Sequence, residues 1–465
     1  MNQNVVPERL SSLDEWGDRK YVVPAPVRGK WRNRRQYVQA FLLLFFLILP
    51  WTSINGLQTI WLDIPARRFV IFGRVFLAHD TPLLFFIVAL VLLTLSLVTA
   101  LWGRVWCGWA CPQTVFIEVV YRRIESWFEG DYIQRRRLKA TALSLNGLLR
   151  KSGKWLAFLL VSAIFAHSFI AYFAGAKNLL QMTTQDPSGN WGYFLLAMSV
   201  TSLVAFDFGW FREQFCIIMC PYGRFQSVLM DENSLTVSYN QLRGEPRRGV
   251  VAPSKKSGDC ISCNRCVEVC PTGIDIRNGS QLECIGCTAC IDACNEIMTK
   301  VKKPENLISY SRQNQAPAHF FRPRILINVF LIVVLLFGLG FGLRQQNAFY
   351  ATLLRGKDKP YEVLPNGAVM NHFKLHFQNQ SQDMQEVSVT ISQDGVSKGI
   401  QLVQTMTNKN ILAGHDQEFH FFTTSPSSLS SLAGAFQTTL EVRDQVSKKF
   451  VLLPIVLLGP VEKSP

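Results

Sequence analysis

Eight of the twelve cysteines form two adjacent runs with the same internal spacing, C-x2-C-x2-C-x3-C. Four thiolates close a cubane [4Fe-4S] cluster, and in a pair of such runs the fourth cysteine of each run binds the other cluster. A proline follows the first run, as it does in bacterial ferredoxins with two clusters. The spacing therefore predicts one cluster on Cys260, Cys263, Cys266 and Cys294, and a second cluster on Cys284, Cys287, Cys290 and Cys270.

Zinc is the other metal that pairs of C-x2-C cysteines bind. A zinc site would use two such pairs and would leave the third cysteine of each run unexplained. Clustered cysteines are also typical of a protein in a reducing compartment, whereas a disulfide-stapled protein scatters its cysteines through small loops. The spacing therefore favours iron–sulfur clusters and electron transfer.

The other four cysteines form a repeated C-x3-C-P motif, Cys107 with Cys111 and Cys216 with Cys220, and Phe and Val follow at identical offsets in both copies. Residues four apart on a helix face the same way, so each pair could converge on one soft metal ion. The residue before a proline avoids the helical region, so Cys111 and Cys220 are expected to mark a break or a helix start. Chemically inert buried cysteine is the alternative, and the duplication argues against it.

Two histidines are further candidates. His167 lies within an apolar segment, where an imidazole either serves a function or is satisfied by a neighbouring carbonyl oxygen. His79 and Asp80 close a polar loop, where they either help to bind a metal or cofactor or are ordinary loop residues. The sequence leaves both questions open.

Five segments are long and apolar enough to cross a bilayer as helices of about 20 residues. The first begins behind a long Arg-rich leader, so we expect no cleavable signal sequence. The five predicted spans are 37–55, 82–102, 154–174, 191–208 and 325–343.

Lys and Arg residues predict the orientation of these spans, because they are retained on the cytoplasmic side. Residues 1–36 hold eight of them and residues 103–154 hold ten, whereas residues 56–81 hold three and residues 175–190 only Lys177. With five spans, the N-terminus and the segment 209–324 are expected in the cytoplasm and the C-terminal tail outside.

The C-terminal residues 344–465 change to a period-two pattern. Phe373–Phe377, Val387–Ile391 and Thr438–Val442 alternate apolar and polar residues, which predicts β-strands of a small antiparallel sandwich. The whole chain combines a formal charge of +15 with 48% hydrophobic residues, an unusual pairing for a soluble enzyme. The charge is not gathered into one stripe with exposed aromatics, which argues against a nucleic-acid partner.

Several longer motifs resemble the CcoG/FixG/RdxA family of oxidase accessory proteins. They are WCGWACPQTVF at 106–116, REQFCIIMCPYGRFQSVLMDENSL at 212–235, RGEPR at 243–247, CVEVCPTGIDIRNG at 266–279, ECIGCTACIDAC at 283–294 and RGKDKPYEVLPNGAVMNHFKLHFQN at 355–379. The last resembles the start of the family's immunoglobulin-like domain. One departure is Tyr239-Asn240, where the family has an acidic residue after the tyrosine.

The expected fold class is therefore a multi-domain membrane protein with an α-helical transmembrane bundle of about five spans, a cytoplasmic bacterial-type 2[4Fe-4S] ferredoxin-like insert and a C-terminal all-β immunoglobulin-like sandwich. The expected domains are a cytoplasmic leader at 1–36, four transmembrane helices with the first C-x3-C-P motif at 37–208, the second motif and the ferredoxin domain at 209–323, the fifth helix at 324–343 and a periplasmic domain at 344–465.

The resemblance implies that the chain reduces Cu(II) to Cu(I) at the bacterial inner membrane for assembly of the C-type haem-copper cytochrome c oxidase. It implies that Cys107, Cys111, Cys216 and Cys220 form the copper site, with His167 as a further candidate ligand. Thiolates do favour Cu(I) over Cu(II). The chain would then be a cupric reductase, although a quinol-linked relay like the polyferredoxin subunits of nitrate and nitrous-oxide respiration and a non-catalytic assembly scaffold stay open.

The expected partners follow from the same resemblance. They are membrane lipid, oxidase assembly factors, copper-handling proteins and an electron donor that the sequence does not identify. The oligomeric state stays open, a homodimer included.

Overall fold

The computed structural model describes residues 21–460 except 55, 77–79, 141–143, 249–256, 280, 313–321, 346–348, 357–358, 382–383, 405–409, 413, 430–433 and 446–447. The chain divides into two compact units. The first unit contains residues up to 51 and residues 85–339, and the second contains residues 52–84 and the chain from 340 onward.

The α-helices in chain order are α1 Lys30–Ile48, α2 Thr81–Trp102, α3 Val105–Trp109, α4 Pro112–Phe116, α5 Arg122–Glu129, α6 Tyr132–Ala140, α7 Leu145–Ala174, α8 Ala176–Thr184, α9 Trp191–Phe206, α10 Pro221–Leu229, α11 Gln241–Gly244, α12 Arg265–Glu268, α13 Ala289–Lys300, α14 Pro323–Gln345 and α15 Gln393–Ser397. Wider π-helical turns occupy Ile117–Tyr121, Asp207–Phe211 and Phe215–Met219. Short 3-10 turns occupy Leu49–Trp51, Pro187–Gly189, Ile276–Asn278 and Ser427–Leu429.

The strands in chain order are β1 Ser53–Ile54, β2 Leu57–Gln58, β3 Ile60–Asp63, β4 Arg68–Ile71, β5 Arg74–Phe76, β6 Thr236–Tyr239, β7 Ile308–Ser311, β8 Phe349–Arg355, β9 Glu362–Val363, β10 Val369–Asn379, β11 Gln385–Ile391, β12 Gln401–Gln404, β13 Asn410–Ile411, β14 Asp416–Ser425, β15 Ala435–Asp444 and β16 Phe450–Leu458. All of their pairings are antiparallel.

Four described helical segments are long and apolar enough to cross a membrane: Pro82–Trp102, Leu145–Ala174, Trp191–Phe211 and Pro323–Arg344. They correspond to the last four predicted spans. The predicted first span, 37–55, falls on α1, which begins seven residues earlier and ends at Ile48 before a 3-10 turn that contains Pro50. The boundary at 55 was therefore wrong, because the chain after Trp51 enters the β1–β2 hairpin. The five-span count stays a prediction.

The second unit contains the predicted β-sandwich. One sheet has the order β12-β14-β10-β8, with β9 also on β10, and the other has the order β13-β11-β15-β16. Strand β10 alternates buried and half-buried residues along its whole length, so one of its faces lies in the core. There, for example, the Phe349 and Phe377 rings stack with centroids 4.9 Å apart. The three strands predicted from the period-two pattern are confirmed.

Residues 52–84 belong to this second unit, which the sequence did not predict. Strands β3, β4 and β5 form a small sheet of their own. Arg68 donates from Nη1 to the carbonyl oxygen of Gly414 at 2.8 Å, and Gln380 donates to the Asp80 carboxylate at 3.1 Å. The loop between the first two predicted spans and the sandwich therefore belong to one compact unit.

Candidate iron–sulfur and four-cysteine sites

Four cysteines of the first predicted cluster set line one cavity in the first unit. The cavity has a volume of about 360 Å³, and Cys260, Cys263, Cys266 and Cys294 all face it. Helix α12 carries Cys266 and helix α13 carries Cys294. Burial, with a smaller contribution from neighbouring thiols, raises the pKa of the Cys266 thiol to about 11 and that of Cys294 to about 12.

The second predicted set lines a neighbouring cavity of about 350 Å³. Cys270, Cys284, Cys287 and Cys290 all face it, together with Cys266 of the first set. Burial raises the pKa of Cys284 to about 12 and that of Cys290 well above its usual value. The two cavities therefore share Cys266 and lie side by side.

The backbone between these cysteines adopts the conformation that a tight loop around a cluster requires. Asn264 and Thr288, the residues that precede α12 and α13, lie in the left-handed region at φ 56° and 64°, and Gly286 lies there at φ 66°. Buried thiols stay protonated in such apolar surroundings unless a metal draws off their protons. Four thiols around each cavity are the donor set of a [4Fe-4S] cluster. The residues present therefore fit the cofactor that the spacing predicted.

An ion pair between Arg277 and Asp275 flanks the first set, and the sequence alone assigns no role to either residue. Arg277 is buried, and its guanidinium pairs with Asp275 at 2.6 Å and with the Asn264 side-chain oxygen at 2.7 Å. The hydrogen bonds from Arg277 hold the pKa of the Asp275 carboxyl below its usual value against the effect of burial. Arg277 therefore places a fixed positive charge beside this cavity, where Tyr239 also lies.

The two C-x3-C-P motifs start helices in the same way. Cys111 and Cys220 are the N-cap residues of α4 and α10, with extended ψ angles of 127° and 111°, and the proline of each motif takes the first helical position. The prediction that these cysteines mark a helix start is confirmed. The partner cysteines lie on the preceding turns: Cys107 in α3 and Cys216 in the π-helical turn Phe215–Met219.

The structure brings the four motif cysteines into one neighbourhood, which we call the four-cysteine site. Burial raises the pKa of the Cys216 thiol, and nearby Cys111, Cys107 and Cys220 raise it further. Burial likewise raises the pKa of Cys107 to about 11, although a hydrogen bond with Gln226 lowers it. Each thiol is half-buried.

Gln226 is a residue of this site that the sequence alone does not assign to it. It lies on α10 and is fully buried, and its side-chain amide nitrogen lies 3.2 Å from the sulfur of Cys107. It therefore links the second motif copy to the first. Among the described residues, no group of three or more His, Cys, Asp or Glu side chains is already spaced to hold a single metal ion.

Further contacts fix the two motif copies together. Gln113 donates to the Asp207 carboxylate at 3.0 Å and to the carbonyl oxygen of Arg212 at 3.1 Å. Arg122 pairs with Glu118 at 3.1 Å and also with Glu213. The four partner residues lie outside the two C-x3-C-P motifs: Asp207, Arg212, Glu118 and Glu213. The contacts therefore restrain the segments around the cysteines without touching the cysteines themselves.

Glu118 and Glu125 are the carboxylates with which several arginines of this region pair. Burial would raise the pKa of Glu118, but Arg122, Arg35 and Arg32 outweigh it and hold that pKa at about 2. Glu125 is 1% exposed and accepts from Arg212 at 2.6 Å and from Arg135 at 2.7 Å. Its pKa is likewise held at about 2, against burial, chiefly by Arg212.

The first motif lies directly against the loop that carries the second cluster set. Gly108 is so close to this loop that a Cβ atom there would lie 2.7 Å from the carbonyl oxygen of Gly286. Gly286 in turn approaches Arg104, whose carbonyl oxygen would lie 2.9 Å from a Cβ at 286. Both glycines are therefore required by the close approach of two backbones. Cys107 and Cys287, their chain neighbours, thus belong to segments in van der Waals contact.

Arg104 holds the same junction by hydrogen bonds. Its Nη1 donates to the carbonyl oxygens of Leu282 and Cys284, the second at 3.1 Å, and its Nη2 donates to that of Gly223 at 3.2 Å. Leu282 and Cys284 belong to the cluster loop, whereas Gly223 belongs to α10. One side chain therefore joins the first motif, the second motif and the cluster loop.

Helix α1 is attached to the cluster helix α13. The Asp292 carboxylate accepts from the backbone N–H groups of Trp31 and Arg32 at 3.2 and 2.7 Å, so it caps the N-terminus of α1. Gly29 permits this approach, because a Cβ there would lie 2.2 Å from the Asp292 side chain. Asp292 lies between Cys290 and Cys294, so this cap connects the helix that carries two cluster cysteines to helix α1.

The histidine candidates take separate positions. His167 on α7 makes a hydrogen bond between its Nδ1 and the carbonyl oxygen of Ala163 at 2.8 Å, which is the carbonyl-satisfied arrangement. His79 lies outside the described residues, and Asp80 is buried beside Gln380.

Family models match three segments of the chain. A model described as 4Fe-4S dicluster domain matches residues 211–313, one described as 4Fe-4S binding domain matches residues 83–132, and one for the IG-like fold at the C-terminal of FixG matches residues 339–454. The middle match contains the first C-x3-C-P motif.

Similar proteins align over most of the chain. Protein RdxB of Cereibacter sphaeroides is 33% identical over 416 residues, which cover 83% of this chain and 84% of that protein. Nitrogen fixation protein FixG of Rhizobium meliloti is 32% identical over 420 residues, covering 80% and 79%. Protein RdxA of Cereibacter sphaeroides is 32% identical over 392 residues, covering 79% and 81%. A crystal structure of a FixG-related protein from Vibrio parahaemolyticus covers 25% of this chain and 100% of its own at 12% identity, with a TM-score of 0.21.

Proposed function

The chain belongs to the FixG/RdxA family of iron–sulfur electron-transfer proteins, and from that premise we propose that it delivers electrons to the four-cysteine site and there reduces Cu(II) to Cu(I). The Cu(I) would serve the assembly of a C-type haem-copper oxidase. Oxidase assembly factors and copper-handling proteins would be its partners.

The observation that carries the proposal is the contact between Gly108 and Gly286. It places the segment of Cys107 against the segment of Cys284 and Cys287, with no side chain between the two backbones. Arg104 holds both segments at that distance through its hydrogen bonds. The contacts of Gly108, Gly286 and Arg104 would therefore give a cluster held by the second cysteine set a short covalent and hydrogen-bonded connection to the four-cysteine site.

The two cysteine sets have different exposures, which supports an order of use. Cys260, Cys263, Cys266 and Cys294 would hold one [4Fe-4S] cluster and Cys270, Cys284, Cys287 and Cys290 the other; when bound, the clusters supply single electrons. Cys263 is exposed, whereas the four cysteines of the second set are buried or half-buried. Electrons would therefore enter at the first set and leave from the second set, whose loop lies against the segment of Cys107.

The chemistry of the four-cysteine site suits copper as a substrate. One electron converts one Cu(II) to Cu(I), and thiolate ligands stabilise Cu(I) in preference to Cu(II). Copper binding must displace the protons that burial holds on Cys107 and Cys216, so it should release protons. Gln226 beside Cys107 offers an amide dipole that can turn towards either the thiol or the thiolate.

Paired serine variants test this assignment. Cys107→Ser with Cys111→Ser, or Cys216→Ser with Cys220→Ser, should weaken Cu(I) binding and Cu(II) reduction while iron and sulfide remain at about eight per chain, four for each of two clusters. Cys284→Ser should instead lower the iron content and the supply of electrons while copper still binds.

Iron content also separates the alternatives for the four-cysteine site. If the parent holds about twelve irons per chain and the paired serine variants about eight, these cysteines hold a third [4Fe-4S] cluster and the copper assignment is wrong. If the variants bind and reduce copper like the parent, the four cysteines are packing residues.

The same proposal includes placement in the bacterial inner membrane, with the cluster region in the cytoplasm and the sandwich outside. The distribution of Lys and Arg along the loops supports it. A reporter that is active only outside the cytoplasm, fused after Pro465, should be active. Activity of a cytoplasmic reporter at that position would contradict the five-span count.

A further inference from the structure

Two histidines meet on the outer face of the sandwich, in the second unit. His372 on β10 and His420 on β14 lie on adjacent antiparallel strands, and His372 is opposite Phe422, two residues from His420. The Nε2 atom of His372 lies 3.1 Å from the Nδ1 atom of His420. His420 is exposed and His372 is half-buried, so solvent reaches the pair.

The His372 ring is held in position from two sides. It stacks on the Phe422 ring with centroids 4.6 Å apart and an interplanar angle of 22°. Gly356 lies at the opposite ring nitrogen, and a Cβ atom at 356 would lie 2.3 Å from Nδ1 of His372. Gly356 also donates its backbone N–H to the carbonyl oxygen of His372 at 3.0 Å. This packing directs Nε2 of His372 towards His420.

We propose that His372 and His420 form a two-histidine site for a divalent transition-metal ion, Cu(II) above all. Two imidazole nitrogens bound to one ion at about 2.0–2.1 Å and an angle of about 100° are about 3.1 Å apart. Imidazole suits copper, and Cu(II) has the highest affinity in the divalent series. The 3.1 Å separation between Nε2 and Nδ1, which is also that of a hydrogen bond between the two rings, therefore matches the separation across a chelated ion.

Other groups nearby set the strength of the site. Lys374 is directly opposite His420 and places a positive charge beside it, whereas Glu418 is one position further along the same face. No third His, Cys, Asp or Glu among the described residues is spaced to complete the coordination. Water would therefore fill the remaining positions, so the site should exchange its metal readily. The site stands apart from the proposed reduction, since it needs no electron.

The test uses the full oxidised chain with Cys107, Cys111, Cys216 and Cys220 replaced by Ser, so that free thiols neither bind nor reduce the probe. One equivalent of Cu(II) should bind and give an electron paramagnetic resonance signal with coupling to imidazole nitrogen. His420→Ala and His372→Ala should each weaken binding at least about tenfold and reduce that coupling from two imidazole nitrogens to one.

Two more variants control for trivial causes. His415→Ala removes another exposed histidine of the same unit and should leave the Cu(II) affinity unchanged. Gly356→Ala removes no ligand but displaces the His372 ring, so the affinity should fall by roughly tenfold, as when a supporting residue of a metal ligand is lost. Unchanged Cu(II) affinity in His420→Ala and His372→Ala, or an equal loss of affinity in His415→Ala, would overturn the proposed site. The contact between His372 and His420 would then be only a hydrogen bond between two neutral imidazoles.

Discussion

The contact between Gly108 and Gly286 gives the most direct test of the electron route. In a Gly108→Ala variant the new methyl group would lie 2.7 Å from the oxygen and 2.8 Å from the carbonyl carbon of Gly286, and 2.8 Å from the oxygen of Ile285. Ordinary contact begins at 3.4 Å, and all three atoms are backbone, so the two segments must separate by about 0.7 Å. Overpacking of this kind costs about 1–3 kcal/mol, which a folded domain tolerates.

The assay is the rate at which Cu(II) oxidises the reduced protein, followed by the iron–sulfur absorbance. The variant should keep its iron content and its Cu(I) affinity but be oxidised severalfold more slowly, because electron tunnelling slows with separation. Gly192→Ala is the matched control, since a Cβ at 192 meets no atom within 4 Å. Arg104→Gln, which loosens the same junction without a clash, should slow the rate as well.

Two outcomes would refute this reasoning. A Gly108→Ala protein that is oxidised as fast as the parent would show that electrons do not cross at Gly286. An equal slowing in Gly192→Ala would show a general effect of the added methyl group. Loss of iron from Gly108→Ala would shift the test to Arg104→Gln, which places no new atom against the Gly286 backbone.

Three further predictions concern the surroundings of the site. Asp292→Ala should lower the free energy of unfolding by about 1–2 kcal/mol, because two backbone amides at the start of α1 lose their acceptor. Asp292→Asn should lower the free energy of unfolding by less, and thermal unfolding in detergent measures both variants. Glu125→Gln should cost about 3–5 kcal/mol, because it leaves Arg212 and Arg135 buried without their charge partner. The folded pKa of Glu125 is depressed, so its stabilisation is present above pH 4.5 and is lost as the pH falls towards 2; the parent should therefore lose more stability than the variant over that range. Arg277→Gln should lower the reduction potential of the first cluster by roughly 50 mV, because a nearby positive charge favours the reduced state; a redox titration that shows no shift would contradict the role of Arg277.

Local spacing predicted much of this architecture because the signals lie within a few residues. The period-two pattern of Phe373–Phe377 located β10, and the Cys-Pro pairs at 111 and 220 located two helix starts. Uninterrupted apolar runs likewise located the four long apolar helices. Each of these features depends on backbone geometry or on burial of one face, which neighbouring residues decide.

The rest depends on contacts between distant parts of the chain. Gln226 meets Cys107 across 119 positions, and Asp292 caps α1 across about 260. Both residues lie within motifs, but nothing in a motif indicates which distant residue its members contact. The two glycines offer a weak signal of close packing. Gly108 and Gly286 each lie within a cysteine motif, where a missing side chain often marks the close approach of another backbone. Their mutual contact still requires the fold.

The repeated motifs illustrate how similar sequences acquire different surroundings. Phe116 is 8% exposed in the first copy, whereas the equivalent Phe225 is 65% exposed in the second. The first copy lies against the cluster loop through Gly108, and the second presents Met219 and Val228 outward beside Cys220. Under the proposed function, the first copy is therefore the one placed to receive the electron, whereas the second copy carries the exposed apolar surface beside the site.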